Sequence, residues 1–200
     1  MHDQLLGTTQ PVLSISLEPG ESIIAEVGGF AWMTDSIQMT AGQRGLSAYT
    51  AKDAAGTIAF ATSRPGRILS VEVTPERGYL VNHRGFLAGT PGIEVGTRAP
   101  GRLSVLRRIG GHGQAWIELS GDAVRQDLAA GASLRTHPWH IGMSDASVTV
   151  QLTELPESSG AELAAVGRQF AVLSGPGTVW LQSMALLAAA PPTELTPTTR

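Results

Sequence analysis

The sequence predicts an all-β fold made of three tandem repeats, with at most one or two short helices. Two observations carry this. One segment occurs three times: Gly20–Met39, Glu76–Val95 and Gly131–Val150 align without a gap, at spacings of 56 and 55 residues. Short stretches of alternating apolar and polar residues, ended by Gly or Pro, recur about every ten residues, as in β-sandwiches and barrels. Identity between copies is low, so the evidence lies in the columns. Ile23, Tyr79 and Leu134 share one, and Phe30, Phe86 and Ile141 a second. Ile37, Ile93 and Val148 share a third, and Met39, Val95 and Val150 a fourth. A regular internal period fixes architecture before any motif does.

Val12–Leu17 alternates and then meets Pro19-Gly20. Ile68–Val73 alternates and meets Pro75, and Val148–Leu152 is a third such run. Each predicts a strand with one buried face. A second recurring element is strand, glycine turn, strand. It occurs at Ala59–Gly66, Ala115–Gly121 and Phe170–Gly177. Asp127–Gly131 parallels Leu17–Gly20, which favours strand and turn over helix between Ala123 and Ala130. Ser159–Gly167 predicts one short helix capped by Ser159, and Leu186–Ala190 a helical turn. These signals divide the chain into repeats at about 10–64, 65–119 and 120–183, followed by a short helical turn and disordered tail at 184–200.

The chain has 200 residues, 42 % hydrophobic, 5 % aromatic and 16 % charged. That charged fraction is below the roughly 25 % of an average soluble domain and suits extensive buried β-surface. A net charge of −3 argues against nucleic acid, which requires a concentrated positive surface. With no cysteine, disulfides, thiolate metal sites and cysteine nucleophiles are excluded. The first residues, MHDQLLGTTQP, lack the basic start and apolar core of a secretory signal. The longest apolar run, near Met184–Ala190, falls far short of the about 20 residues that span a bilayer. These features lead to the expectation of a soluble cytoplasmic protein, monomeric or homodimeric.

Candidate chemistry is sparse. His137-Pro138-Trp139-His140 has an i, i+3 histidine pair; on a strand that spacing sends the rings to opposite faces, whereas a turn at Pro138 would let them converge, and no metal is expected there. Glu26, Asn82 and His137 share one column. Around a pseudo-threefold axis they would converge into a polar cluster with a carboxylate beside an imidazole; otherwise they are solvated outward positions. Ser120-Gly121 and Ser174–Gly177 are incomplete nucleophile motifs, better explained as turns. Gly110–Gly113, after Arg107-Arg108, leads into an alternating strand rather than a helix, so it reads as a hairpin turn and not a phosphate cradle. Trp32, Trp116 and Trp180 are expected to fill the core or an interface. The expectation is therefore a non-enzymatic protein without cofactor.

The glycine pattern carries a resemblance. Leu17–Glu21 followed by Ala25–Met33 resembles the opening of the altered-inheritance-of-mitochondria protein family. Thr74-Pro75-Glu76 with Gly85–Ala88, Leu106–Gly121, and Phe170–Gln182 are similar to its later blocks, the last being the most specific. The resemblance covers Val12–Ser183. It implies a fold like that of the tryptophan RNA-binding attenuator protein, a short double-stranded β-helix or sandwich unit in three copies. The family has no established catalytic residues to carry over. Its fungal mitochondrial members are tied to inner-membrane organisation, which implies a scaffold with a protein partner; the attenuator analogy implies small-molecule or RNA binding as the alternative. Between Gly42 and Thr57 the chain departs from the family, which has a longer glycine-rich stretch there, and no mitochondrial presequence is expected.

Overall fold

Alternation becomes structure first at Val12–Leu17, where Leu13, Ile15 and Leu17 are buried and Ser16 is exposed. The computed structural model describes residues 1–42, 45–96, 106–154 and 169–184. Strand β1 is His2–Leu6. The first unit contains β2 (Val12–Leu17), β3 (Ser22–Glu26), β4 (Phe30–Met33), β5 (Ile37–Ala41), β6 (Leu46–Ala51) and β7 (Gly56–Ala61). The second contains β8 (Gly66–Val73), β9 (Tyr79–Asn82), β10 (Phe86–Gly89), β11 (Ile93–Val95), β12 (Leu106–Gly111) and β13 (Gly113–Ser120). The third contains β14 (Ala123–Leu128), β15 (Ser133–Thr136), β16 (Ile141–Asp145), β17 (Thr149–Glu154), β18 (Gln169–Ser174) and β19 (Gly177–Gln182). The described residues include no α-helix, only 3-10 turns at Val27–Gly29 and Pro138–His140.

One pairing scheme serves all three units. In each, the first strand pairs with the sixth and the sixth with the third. The second pairs with the fifth, and the fifth with the fourth. Every pair is antiparallel. The third strand of each unit shifts register at the same column, between Phe30 and Trp32, Phe86 and Ala88, and Ile141 and Met143. An unpaired residue there bends and twists the strand. Each unit is thus two three-stranded half-sheets with apolar faces together. Three core clusters result, around Ile15, Tyr49 and Phe60, around Val81, Phe86 and Ile117, and around Leu80, Ile141 and Leu173. Fully burying one such side chain contributes about 1.5–3 kcal/mol.

The half-sheets join between units. Strand β3 pairs with β10, through Ala25↔Ala88 and Ile24↔Gly89. Strand β9 pairs with β16, through Val81↔Met143, Leu80↔Ser144 and Tyr79↔Asp145. The two seams use the same columns of the repeat. They make the sheets β5-β6-β3-β10-β13-β8 and β11-β12-β9-β16-β19-β14. The outer half-sheets stay separate, as β1-β2-β7-β4 and β15-β18-β17. No ladder connects β4 to β15, the strands that a third seam would use.

Several expectations need correction. Gly110–Gly113, expected as a hairpin turn, is a corner leading from β12 in one sheet to β13 in another; the glycine turns after β7, β13 and β18 join strand to strand as expected, and each likewise changes sheet. Gly111 and Gly113 adopt φ of 87° and 125°, which other residues reach only with strain. Of the two readings at His137–His140 the turn holds, as a 3-10 turn over Pro138–His140. Strand β1 was not anticipated, because its exposed residues carry no apolar alternation; pairing with β2 creates it. The helices expected at Ser159–Gly167 and Leu186–Ala190, and the tail beyond Met184, lie outside the described residues.

Candidate functional site

The polar column lies at the end of the second strand of each unit: Glu26 and Asn82 are the last residues of β3 and β9, and His137 is the residue after β15. Glu26, at the end of β3, accepts a hydrogen bond and ion pair from Arg107 Nη1 of the second unit. The same nitrogen donates to the His83 carbonyl at 3.3 Å. Asn82, at the end of β9, is buried. Its Nδ2 donates to the Ile141 carbonyl of the third unit at 3.2 Å, and its Oδ1 accepts from the Arg84 amide at 3.3 Å. Glu26 and Asn82 therefore each clasp a seam. His137 precedes the 3-10 turn after β15, and its ring centroid lies 6.3 Å from that of His140 at 79°. His140 Nδ1 lies 2.8 Å from the Gln182 carbonyl and donates to it. Among the described residues, no three His, Asp or Glu side chains are grouped to hold a metal ion.

A second clasp was missed in the sequence. Ser63, at the end of the first unit, donates to Glu118 Oε1 through its amide at 3.0 Å and its hydroxyl at 2.7 Å. Ser120, two residues beyond Glu118, repeats this across the next seam: its amide donates to Gln182 Oε1 at 3.2 Å. Glu118 and Gln182 occupy matching positions on β13 and β19, one residue past Ile117 and Leu181, which pair with Phe86 and Ile141. Burial pushes the Glu118 carboxyl above its usual range, against the opposing pull of Ser63 and Arg64. A cavity of about 190 Å³ beside it is lined by Glu26, Ser63, Arg84, Phe86 and Glu118, among others. That is smaller than the roughly 300–1,000 Å³ of typical small-molecule sites. A charged residue inside the otherwise apolar run Ala115-Trp116-Ile117-Glu118-Leu119 was the signal available.

The tryptophans divide. Trp116 is buried, with Nε1 donating to Asp3 Oδ2 at 3.2 Å. Trp180 packs partly buried against the second core. Trp32 does not fill the core: it lies on β4, 50 % exposed, beside Phe30 at 38 % and near Val27 at 57 %. The matching positions across the closed seams are buried, with Phe86 at 2 % and Ile141 at 1 %. Each of β10 and β16 is flanked by a preceding unit; β4 has none.

The fold and its exposed edge define a non-helical, repeat-built β protein, and the comparisons place it. The chain belongs to the Mitochondrial biogenesis AIM24 family, whose model matches residues 4–184. Its fold is similar to that of a Streptococcus pyogenes protein solved by X-ray crystallography, with a TM-score of 0.79 at 17 % identity, covering 92 % of this chain and 94 % of that one. No curated protein matches the chain significantly. No helix among the described residues is long and apolar enough to cross a membrane.

Proposed function

We propose that this chain is a non-enzymatic scaffold that holds protein partners through its β-surface. The exposed apolar edge of β4, with Val27, Phe30 and Trp32, carries the reading. An edge strand with unpaired backbone groups and apolar side chains is a template for another polypeptide. Two members of the polar column that first suggested catalysis, Glu26 and Asn82, support the same reading by bonding across seams, as does Glu118. The test is a pull-down with the wild-type chain and Trp32→Lys, reading protein and RNA in each eluate. Protein partners retained by the wild type and lost with Trp32→Lys support the scaffold. Identical eluates overturn it, and RNA released by salt replaces it with polynucleotide binding.

A further inference from the structure

We infer that the free edges of β4 and β15 are the two halves of a third seam, and that their occupant is a second copy of this chain, docked head to tail. The inference rests on the reading of the β4 edge as a protein-binding surface and names its partner.

The chain already builds this interface twice. At each closed seam the second strand of one unit pairs with the third strand of the next, at identical columns: Ala25↔Ala88 and Val81↔Met143. Applying the same columns to the free edges sets Thr136 of β15 opposite Trp32 of β4, and Arg135 opposite Met33. The exposure pattern matches an unfilled seam. All four residues of β10 are buried, whereas in β4 only Met33 is even half-buried. All four of β9 are buried, whereas β15 alternates exposed and half-buried. The two free edges differ from each other, as the two sides of one joint. The joint is therefore heterologous, and repeated addition closes a ring or extends a filament. His137, the residue after β15, shares the column of Glu26 at the end of β3 and Asn82 at the end of β9, which places it at the new junction. Asn82 donates to the Ile141 carbonyl; the same column on the incoming copy is Phe30.

Some features make the third joint weaker than the closed ones, and so suited to reversible assembly. The position matching Glu118 and Gln182 in the first unit is Ala61, whose methyl group cannot accept a hydrogen bond. Thr136 and Trp32 also replace the closely packed pairs Ala25 with Ala88 and Val81 with Met143.

The test uses the absence of native cysteine. Trp32→Cys and Thr136→Cys are made as separate full-length chains, and each is oxidised mildly, alone and mixed. Directly opposed residues on antiparallel strands bring their Cβ atoms within about 4.5–5.5 Å, close enough for a disulfide to form with a small shift. Head-to-tail docking predicts a species of twice the 20.9 kDa chain mass in the mixture, in large excess over either variant alone. Trp32→Cys linking to itself as readily would indicate symmetric edge pairing and overturn the inference, and so would no cross-link in the mixture. Sedimentation of the wild-type chain gives an independent reading: mass rising with concentration is expected, and a strict monomer at hundreds of micromolar overturns the inference. If self-association fails while Trp32-dependent capture of other proteins persists, only the identity of the partner is lost. If that dependence also fails, the scaffold reading falls with it.

Discussion

Glu118 tests the seam description most sharply, because its counterpart Gln182 provides a built-in control. The perturbation is Glu118→Gln, with Glu118→Ala beside it. Ser63 donates twice to Glu118 Oε1, and hydrogen bonds to a charged acceptor are about twice as strong as neutral ones. Desolvation is nevertheless the larger effect, since the carboxyl is held above its usual value. Glutamine keeps an Oε1 acceptor and removes the charge, as in the second seam. The sign follows from linkage. A raised folded pKa means that the native state prefers the protonated form. The group's contribution is fully present below its unfolded pKa and is lost as pH rises through the folded pKa. Glu118→Gln should therefore match the wild type in acid and exceed it in stability at neutral pH, with the gap growing across that window. Glu118→Ala removes both bonds; at about 1 kcal/mol net for each, it should cost about 2 kcal/mol. Urea unfolding followed by tryptophan fluorescence from pH 4 to 8 measures both. A Glu118→Gln chain less stable than wild type at neutral pH, or a pH-independent gap, would refute the reasoning.

Other outcomes follow from burial and backbone geometry. Trp116→Ala should cost about 3–5 kcal/mol, since the ring is buried, whereas Trp32→Ala should cost well under that in dilute solution; chemical denaturation separates them. Gly111→Ala should destabilise by about 1–3 kcal/mol, because φ is 87° and a Cβ would meet the Gly92 carbonyl; the shift in thermal midpoint checks it. Asn82→Leu should cost about 1–3 kcal/mol by leaving the Ile141 carbonyl without its donor, and amide exchange in β16 should quicken. Glu26→Gln should weaken the first seam by less, because Glu26 is partly exposed and the Arg107 pair is open to screening; its effect should shrink with added salt.

Much of the fold was legible in the sequence. The gapless threefold alignment anticipated the seam columns, because a residue's place in the ladder follows from its place in the repeat: Ile37, Ile93 and Val148 are all buried. Other features were not legible, for identifiable reasons. Strand β1 carries no buried alternation and depends on the free edge of β2. Gly110–Gly113 reads as a hairpin turn because glycine marks a change of direction without saying which sheet the next strand joins. Phe30 and Phe86 are the same residue in the same column, yet one is exposed and the other buried; only the presence of a preceding unit separates them. The polar column was found, but its role was not. Glu26 and Asn82 act between adjacent units, through Arg107 and the Ile141 carbonyl, which lie outside the column. Glu118 was passed over because a polar residue in a strand is ordinarily outward, and β13 is covered on both faces.

The most direct measurement is hydrogen exchange of the full chain over a range of concentrations. The central claim is that three like units leave one complementary edge open at β4 and another at β15. Amides of β9, β10 and β16 should be protected at every concentration. The outward amides of β4 and β15 should exchange fast in dilute solution and slow together as concentration rises. Protection of β4 equal to that of β10 at high dilution would contradict the account, since the third seam would then be closed within a single chain.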